Sequence, residues 1–167
     1  HIQDLKYVDD AIHAAARQIL VDRAKSPWYE VKSAGLLKLP YFDAVIMRKD
    51  PPFDQAYVTA TWMLSQSQRE GAKVFNDPAA LRNHSEKLAL LEFIEYAPPT
   101  IVSASFADIA QFHETYRDVI VKPLDGMGGA GIFRVQENGL NLASIVEVMS
   151  DYGKRPLMIQ KYLPEIV

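Results

Sequence analysis

The chain contains no cysteine. That excludes disulfide staples, thiolate-ligated metal sites and a cysteine nucleophile, and it suits a reducing compartment. Long apolar runs are missing as well. Spanning a bilayer takes about 18 consecutive apolar residues, whereas the longest purely aliphatic stretches here are on the scale of residues 44–47. Nor is there an excess of one charge: 18 Lys and Arg stand against 21 Asp and Glu, a net charge of -3. Such a balance gives no global attraction for a phosphate backbone or an anionic membrane. Repeats and low-complexity linkers are also absent. These absences leave a soluble cytoplasmic protein, with neither nucleic acid nor membrane as a partner, as the expectation.

What is present is ordinary globular composition, 49% hydrophobic and 23% charged over 167 residues, enough for a packed core. The chain opens on His1 rather than methionine and stops at Val167 just after a strand-like segment, so a piece of a longer chain is expected.

Local patterning predicts an α/β chain. Residues 9–25 are Ala-rich and charged and read locally as helix, yet Ile19-Leu20-Val21 is β-branched and Asp9-Asp10 suits a turn. Residues 42–47 form a short apolar run ending in charges and Pro51-Pro52, as a strand buried on both faces does. Asp54 caps a helix to about Glu70, with Tyr57, Ala60, Thr61 and Leu64 on one face and Gly71 as its stop. A strand over residues 72–76 then completes a right-handed parallel crossover. Asp77-Pro78 opens one short helix, and Ser85 caps a second carrying Leu88, Leu91 and Phe93. From Pro98 onward the pattern is strand (100–102), helix from a Ser105/Asp108 capping box, strand (118–123), glycine loop, strand (132–135), helix (141–152) and strand (156–162). A change of unit is expected near residues 96–99.

Three segments carry chemistry. In residues 126–131 four glycines occupy six positions, leaving backbone N–H groups free to wrap phosphate oxygens, with Lys122 four residues upstream. Taken alone, such a loop is more often a flexible hairpin tip beside a solvated lysine. Gly126-x-Gly128-x-x-Gly131 matches the dinucleotide fingerprint in letters, but that motif needs a helix opening at its last glycine, and Ile132-Phe133-Arg134-Val135 is β-rich. A Walker loop fails because no Gly-Lys-Ser/Thr follows. What survives is a glycine-rich hairpin folded over phosphates, as in kinases, except that their lysine lies on the strand after the loop and Lys122 lies before it. Lys87 sits in the expected first turn after Ser85, where the helix dipole disfavours a cation by roughly 0.3–1 kcal/mol. Arg48, Lys49 and Asp50 follow a strand end, the place where α/β sheets bind ligands and also where charges simply reach water.

Together, Val45-Ile46-Met47-Arg48-Lys49-Asp50-Pro51-Pro52-Phe53-Asp54, residues 83–87, Lys122-Pro123-Leu124-Asp125-Gly126-Met127-Gly128-Gly129 through Ile132-Phe133-Arg134, and Gln160-Lys161-Tyr162-Leu163-Pro164 resemble the bacterial glutathione synthetases of the ATP-grasp ligase superfamily. The strings come in family order and span nearly the whole chain. The resemblance implies strands over residues 5–21, where the family has a β-hairpin. It implies a partial pre-ATP-grasp, substrate-side domain with parallel strands and linker helices over residues 1–97, and a smaller α+β ATP-grasp nucleotide-binding subdomain, incomplete at its C-terminal side, over residues 98–167.

The implied reaction joins γ-glutamyl-cysteine to glycine with ATP, through an acyl phosphate. The resemblance gives Lys87 and Lys122 the ATP phosphates, and makes Gly126, Met127, Gly128, Gly129, Ala130 and Gly131 the loop covering them. It makes Gln160, Lys161, Tyr162 and Leu163 the hinge at the adenine edge, and sets Arg48, Lys49 and Asp50 on the peptide-substrate side. The lysines would act electrostatically rather than as acid or base. Magnesium is implied, with its ligands expected beyond Val167, so no metal or catalytic residue is assigned within the chain. The fragment alone is expected to be inactive, and the longer protein a homo-oligomer. An ATP-grasp ligase for another amino acid or peptide pair, and a nucleotide-binding module without chemistry, are the alternatives.

Overall fold

A computed structural model describes residues 1–165 and divides the chain into two compact units, His1–His84 and Ser85–Val167. The division falls between His84 and Ser85 rather than near residues 96–99, so the segment Leu88–Tyr96 belongs to the second unit. The last two positions of the expected 98–167 subdomain lie outside the described residues.

In the first unit, strands β1 (Leu5–Val8), β2 (Ala11–Val21) and β3 (Tyr29–Lys38) form an antiparallel sheet in that order. The β1–β2 turn is Asp9-Asp10, both with positive φ (47° and 56°), as a two-residue hairpin turn of right-handed twist requires. The strands implied for residues 5–21 are thus present. β3 went unassigned from sequence, because Lys32, Ser33 and Gly35 interrupt its alternation; pairing with β2 makes it a strand.

After β3 come β4 (Val45–Ile46), α1 (Gln55–Arg69) and β5 (Val74–Phe75), and β4 pairs β5 in parallel as the crossover predicted. The run 42–47 is not a strand buried on both faces. Only Val45 and Ile46 pair as a strand, and Ile46 is 65% exposed, because among the described residues this sheet has two strands. Asp54 caps α1 by accepting the Tyr57 N–H at 2.8 Å, and Tyr57, Ala60, Thr61 and Leu64 are buried. Gly71 (φ 102°) ends the helix. The peptide between Pro51 and Pro52 is cis. Helix α2 (Pro78–Asn83) begins at the Asp77 cap. The unit's core gathers Ile12, Leu39, Leu64, Ala72 and Val74.

The second unit opens with a 3-10 segment, Leu88–Tyr96, instead of the second short helix. Phe93 leaves helical geometry, Ser85 makes no side-chain cap, and Leu91 and Phe93 are exposed rather than packed. Three residues per turn cannot keep an apolar stripe of the α-helical kind. Then follow β6 (Thr100–Ser103), α3 (Phe106–Tyr116), β7 (Val119–Pro123), β8 (Phe133–Val135), α4 (Leu142–Met149) and β9 (Leu157–Lys161), the predicted order. Ser105 accepts the Asp108 N–H, but the Asp108 carboxylate takes the Ser103 hydroxyl instead of closing the box. The sheet order is β6-β9-β7-β8, antiparallel throughout. Val119, Val121, Val135, Leu157 and Ile159 form its core face against Ile109, Leu142 and Val146 of α3 and α4.

One side chain ties the three-stranded sheet to α1. The N–H of Ile12, a residue 2% exposed, donates to Glu70 Oε2 at 2.9 Å. Glu70→Ala leaves that N–H without its acceptor, an expected cost of about 1–3 kcal/mol in urea denaturation, whereas Glu70→Gln, which keeps an acceptor oxygen, retains most of the stability.

Candidate functional site: two lysines and a glycine loop

Strand alternation builds the site. With Val119 and Val121 on the core face of β7, Ile120 and Lys122 occupy the other; with Leu157 and Ile159 inward on β9, Met158 and Gln160 do the same. The register puts Lys122 opposite Met158 and Ile120 opposite Gln160. Past the end of β7 the glycine loop folds over this face, and a cavity of about 250 Å³ opens between them. It is lined by Lys87, Lys122, Gly126, Met127, Gly128, Gly129, Ala130 and Gln160, together with Glu86, Leu90, Ile132 and Met158.

The loop's sequence has two different causes. Gly128 and Gly129 take successive positive φ values, 62° and 78°, in open space, so the demand is on backbone conformation. At Gly126 the demand is room: an added Cβ would lie 3.0 Å from Pro123 Cγ. Turn hydrogen bonds from Ala130 N–H to Met127 O and from Ile132 N–H to Gly129 O shape the rest.

Both cations rest on neutral oxygens. Lys87, whose side chain is 12% exposed, donates to the carbonyl of Gly126, while the nearest Glu86 oxygen stands 4.0 Å away. Lys122 donates to Gln160 Oε1 at 2.6 Å. Because an ammonium only donates, it fixes the Gln160 amide: Nε2 turns to Thr100 Oγ1 at 3.0 Å, and the Thr100 hydroxyl donates onward to Pro98 O at 2.7 Å. Burial lowers the Lys122 pKa below the ordinary lysine value, and the positive charge of Lys87 lowers it further. Two cations facing one cavity, with an exposed Glu86 at 4.0 Å from Lys87 as the carboxylate beside them, can attract a polyanion. Among the described residues, no group of three His, Cys, Asp or Glu could hold a metal ion.

The expected hinge residues divide. Gln160 lines the cavity through its side chain. The Lys161 N–H donates to Pro99 O and the Tyr162 N–H to Asp118 O, so these donors serve the fold. Gly131, Lys161, Tyr162 and Leu163 do not line the cavity. At this end of the sheet Arg134 donates twice to Asp118, Nε to Oδ1 at 3.0 Å and Nη2 to Oδ2 at 2.7 Å, and its guanidinium lies 3.7 Å from the Tyr162 ring centroid. Arg134 holds the Asp118 carboxyl below the usual carboxylate range. Sequence reasoning missed the roles of Asp118, Arg134, Met158 and Glu86. The signal for the strand residues was the period-2 alternation across β7 and β9.

In the first unit, Arg48, Lys49 and Asp50 come together at the rim of a separate cavity of about 510 Å³, walled by Leu5, Leu39, Val45, Met47 and Leu64. Lys49 Nζ donates to Asp50 O at 2.7 Å.

Two family models match the sequence, prokaryotic glutathione synthetase N-terminal domain over residues 1–82 and prokaryotic glutathione synthetase ATP-grasp domain over residues 86–167. The chain is 48% identical over 157 residues to glutathione synthetase of Ralstonia nicotianae, covering 94% of this chain and 48% of that protein. It is 53% identical over 140 residues to that of Bordetella parapertussis (84% and 44% covered) and 44% over 166 residues to that of Nitrosomonas europaea (98% and 52%). The chain spans about half the length of the curated relatives it matches. Among solved structures, D-alanyl-alanine synthetase A of Vibrio cholerae aligns with a TM-score of 0.56 at 13% identity (95% of this chain, 48% of that one). A RimK domain ATP-grasp protein of Sphaerobacter thermophilus aligns at 0.55 and 22% (74% and 47%). These two speak to the fold alone, and the fold is ATP-grasp.

The lowered Lys122 pKa has a sign that can be tested with tripolyphosphate as probe. An anion raises the pKa again, so binding is strongest below the free-state value and weakens as pH rises through it, before an ordinary lysine would titrate. Calorimetric titration from pH 7 upward is expected to show this decline, and Lys122→Arg to remove it. An affinity that stays flat up to the ordinary lysine range overturns the assignment.

Proposed function

Because this chain belongs to the prokaryotic glutathione synthetase family, we propose that the protein is an ATP-dependent ligase that joins γ-glutamyl-cysteine to glycine. The terminal phosphoryl group of ATP passes to the free cysteinyl carboxylate, giving an acyl phosphate and ADP. The glycine amine attacks the acyl carbon, an amide bond forms, and phosphate and a proton leave. The observation that carries this reading is the pairing of Lys87 and Lys122 on one glycine-loop cavity, each resting on a neutral oxygen that a phosphate replaces with gain.

In this reading Lys87 and Lys122 hold ATP phosphate oxygens and spread the charge that develops on the transferred phosphoryl group, while residues 126–131 cover it and keep water out. Gln160 sets the direction of Lys122. The chain at Gln160, Lys161, Tyr162 and Leu163 borders the adenine. Since the Lys161 and Tyr162 N–H groups are already bonded within the fold, recognition there falls to remaining carbonyls and to the Leu163 N–H. Arg48, Lys49 and Asp50 face the peptide substrate. Magnesium, usual for this chemistry, would supply charge neutralisation at the phosphates; the described residues offer no ligand cluster for it, and no step is assigned to it. The enzyme acts in the cytoplasm, where ATP is made and spent, as a homo-oligomer.

The intact protein is expected to release phosphate from ATP when both γ-glutamyl-cysteine and glycine are present, and not with either alone. Release with another acid and amine pair instead assigns it to a different ATP-grasp ligase. ATP binding without release for any pair leaves a nucleotide-binding module.

Removing either cation tests the site directly. A charge-assisted hydrogen bond is worth about 1.5–3 kcal/mol, so Lys87→Met and Lys122→Met are each expected to weaken ATP binding by roughly 10- to 100-fold, read by titration calorimetry.

A further inference from the structure

We propose that Arg134 is a positioning residue for the nucleoside end of the site: locked by Asp118 and stacked on Tyr162, it fixes the chain leaving β9 and so determines how much tighter ATP binds than bare polyphosphate. The inference rests on the ATP reading above.

The register supplies the reason. Arg134 pairs with Ile120, and Ile120 with Gln160, so Arg134 stands on the cavity face of the sheet rather than the core face. Continuing the alternation puts Asp118 and Tyr162 on that face too, joined by the Tyr162 N–H to Asp118 O bond of 2.9 Å. One elongated face therefore carries two chemically different ends. Lys122 and the glycine loop form the cationic end. Four residues back along β7, about 13 Å at roughly 3.3 Å per residue, Asp118, Arg134 and Tyr162 form the planar end.

At that end Tyr162 is held three ways: by its own N–H, by its ring under the guanidinium, and through Asp118, which fixes the guanidinium by two bonds. An arginine fork is needed for this. A lysine gives neither two parallel bonds to Asp118 nor a flat cation over the ring. Because the Tyr162 and Lys161 N–H groups are spent on the sheet, the position of the following chain depends on this clamp and not on further ladder bonds. A base lying there meets a pre-set edge; without the clamp it must order the chain as it binds, and affinity falls.

The test titrates the protein with ATP and, separately, with tripolyphosphate. In Arg134→Met the tripolyphosphate affinity is expected to stay within about twofold of wild type, and the ATP affinity to fall about tenfold toward it. Arg134→Lys is expected to fall likewise, and Arg134→Met with Tyr162→Leu together to do no worse than either alone, since the two act as one unit. Should Arg134→Met fold poorly by circular dichroism, Asp118→Asn, which keeps shape and loses charge, gives the same readout. An unchanged ratio of ATP to tripolyphosphate affinity overturns the role of Arg134, as does an equal loss of both ligands, the mark of general damage. Failure of the wild-type protein to prefer ATP over tripolyphosphate overturns the ATP reading itself.

Discussion

Strand β9 lies between β6 and β7, and every consequence in the second unit follows from its alternation. Leu157 and Ile159 are buried against the two helices, and each is essentially inaccessible to solvent. That burial locks the register, since slipping β9 by one residue would turn Met158 and Gln160 into the core and Leu157 and Ile159 out of it. The same lock delivers Gln160 to Lys122 and Thr100, and Met158 to a position directly opposite Lys122. The apolar half of the strand thus specifies the location of its polar half.

The two lysines are an unfavourable arrangement that the fold tolerates. Lys122 rests on an amide oxygen, Lys87 has only the exposed Glu86 carboxylate at 4.0 Å, and burial, followed by the charge of Lys87, lowers the Lys122 pKa. Neutral carbonyl oxygens satisfy the donors without cancelling the charge. A carboxylate in their place would stabilise the unligated chain and compete with an incoming phosphate. Lys87 also ties the 3-10 segment to the glycine loop through Gly126 O, so an anion that draws Lys87 toward itself acts on the loop as well. Charge-assisted bonds are the stronger kind, which gives that exchange its direction.

Much of the second unit was legible from its letters, because its strands alternate over short, well-punctuated runs and its helix α3 opens on a recognisable cap at Ser105. The glycine loop was legible as a loop, whereas the helix dipole that singled out Lys87 is not there, since Lys87 precedes a 3-10 segment rather than lying in the first turn of a helix capped by Ser85. What was not legible depends on distant pairing. β3 has no alternation of its own and exists because β2 pairs with it. The apolar run at 42–47 looks like a central strand, yet with one neighbouring strand only Val45 and Ile46 join the ladder. The segment after Ser85 has the composition of an α-helix, but tight turns and the break at Phe93 make it 3-10. Asp118 and Arg134 are sixteen residues apart, and nothing short of the β7–β8 register brings them together.

The two units place charge at strand ends by different means. Lys122 belongs to a strand paired on both sides, and its partner Gln160 is in turn held by Thr100. Arg48, Lys49 and Asp50 follow a two-residue strand whose neighbourhood is set by the Val45 N–H to Lys73 O and Met47 N–H to Phe75 O bonds, each 2.8 Å. A cation carried by a strand with neighbours on both sides gives up little freedom when an anion arrives. In the ligase reading proposed above, the cationic face takes the group common to many such reactions, the polyphosphate, and the rim at residues 48–50 takes the component that distinguishes one ligase from another, the acid it activates.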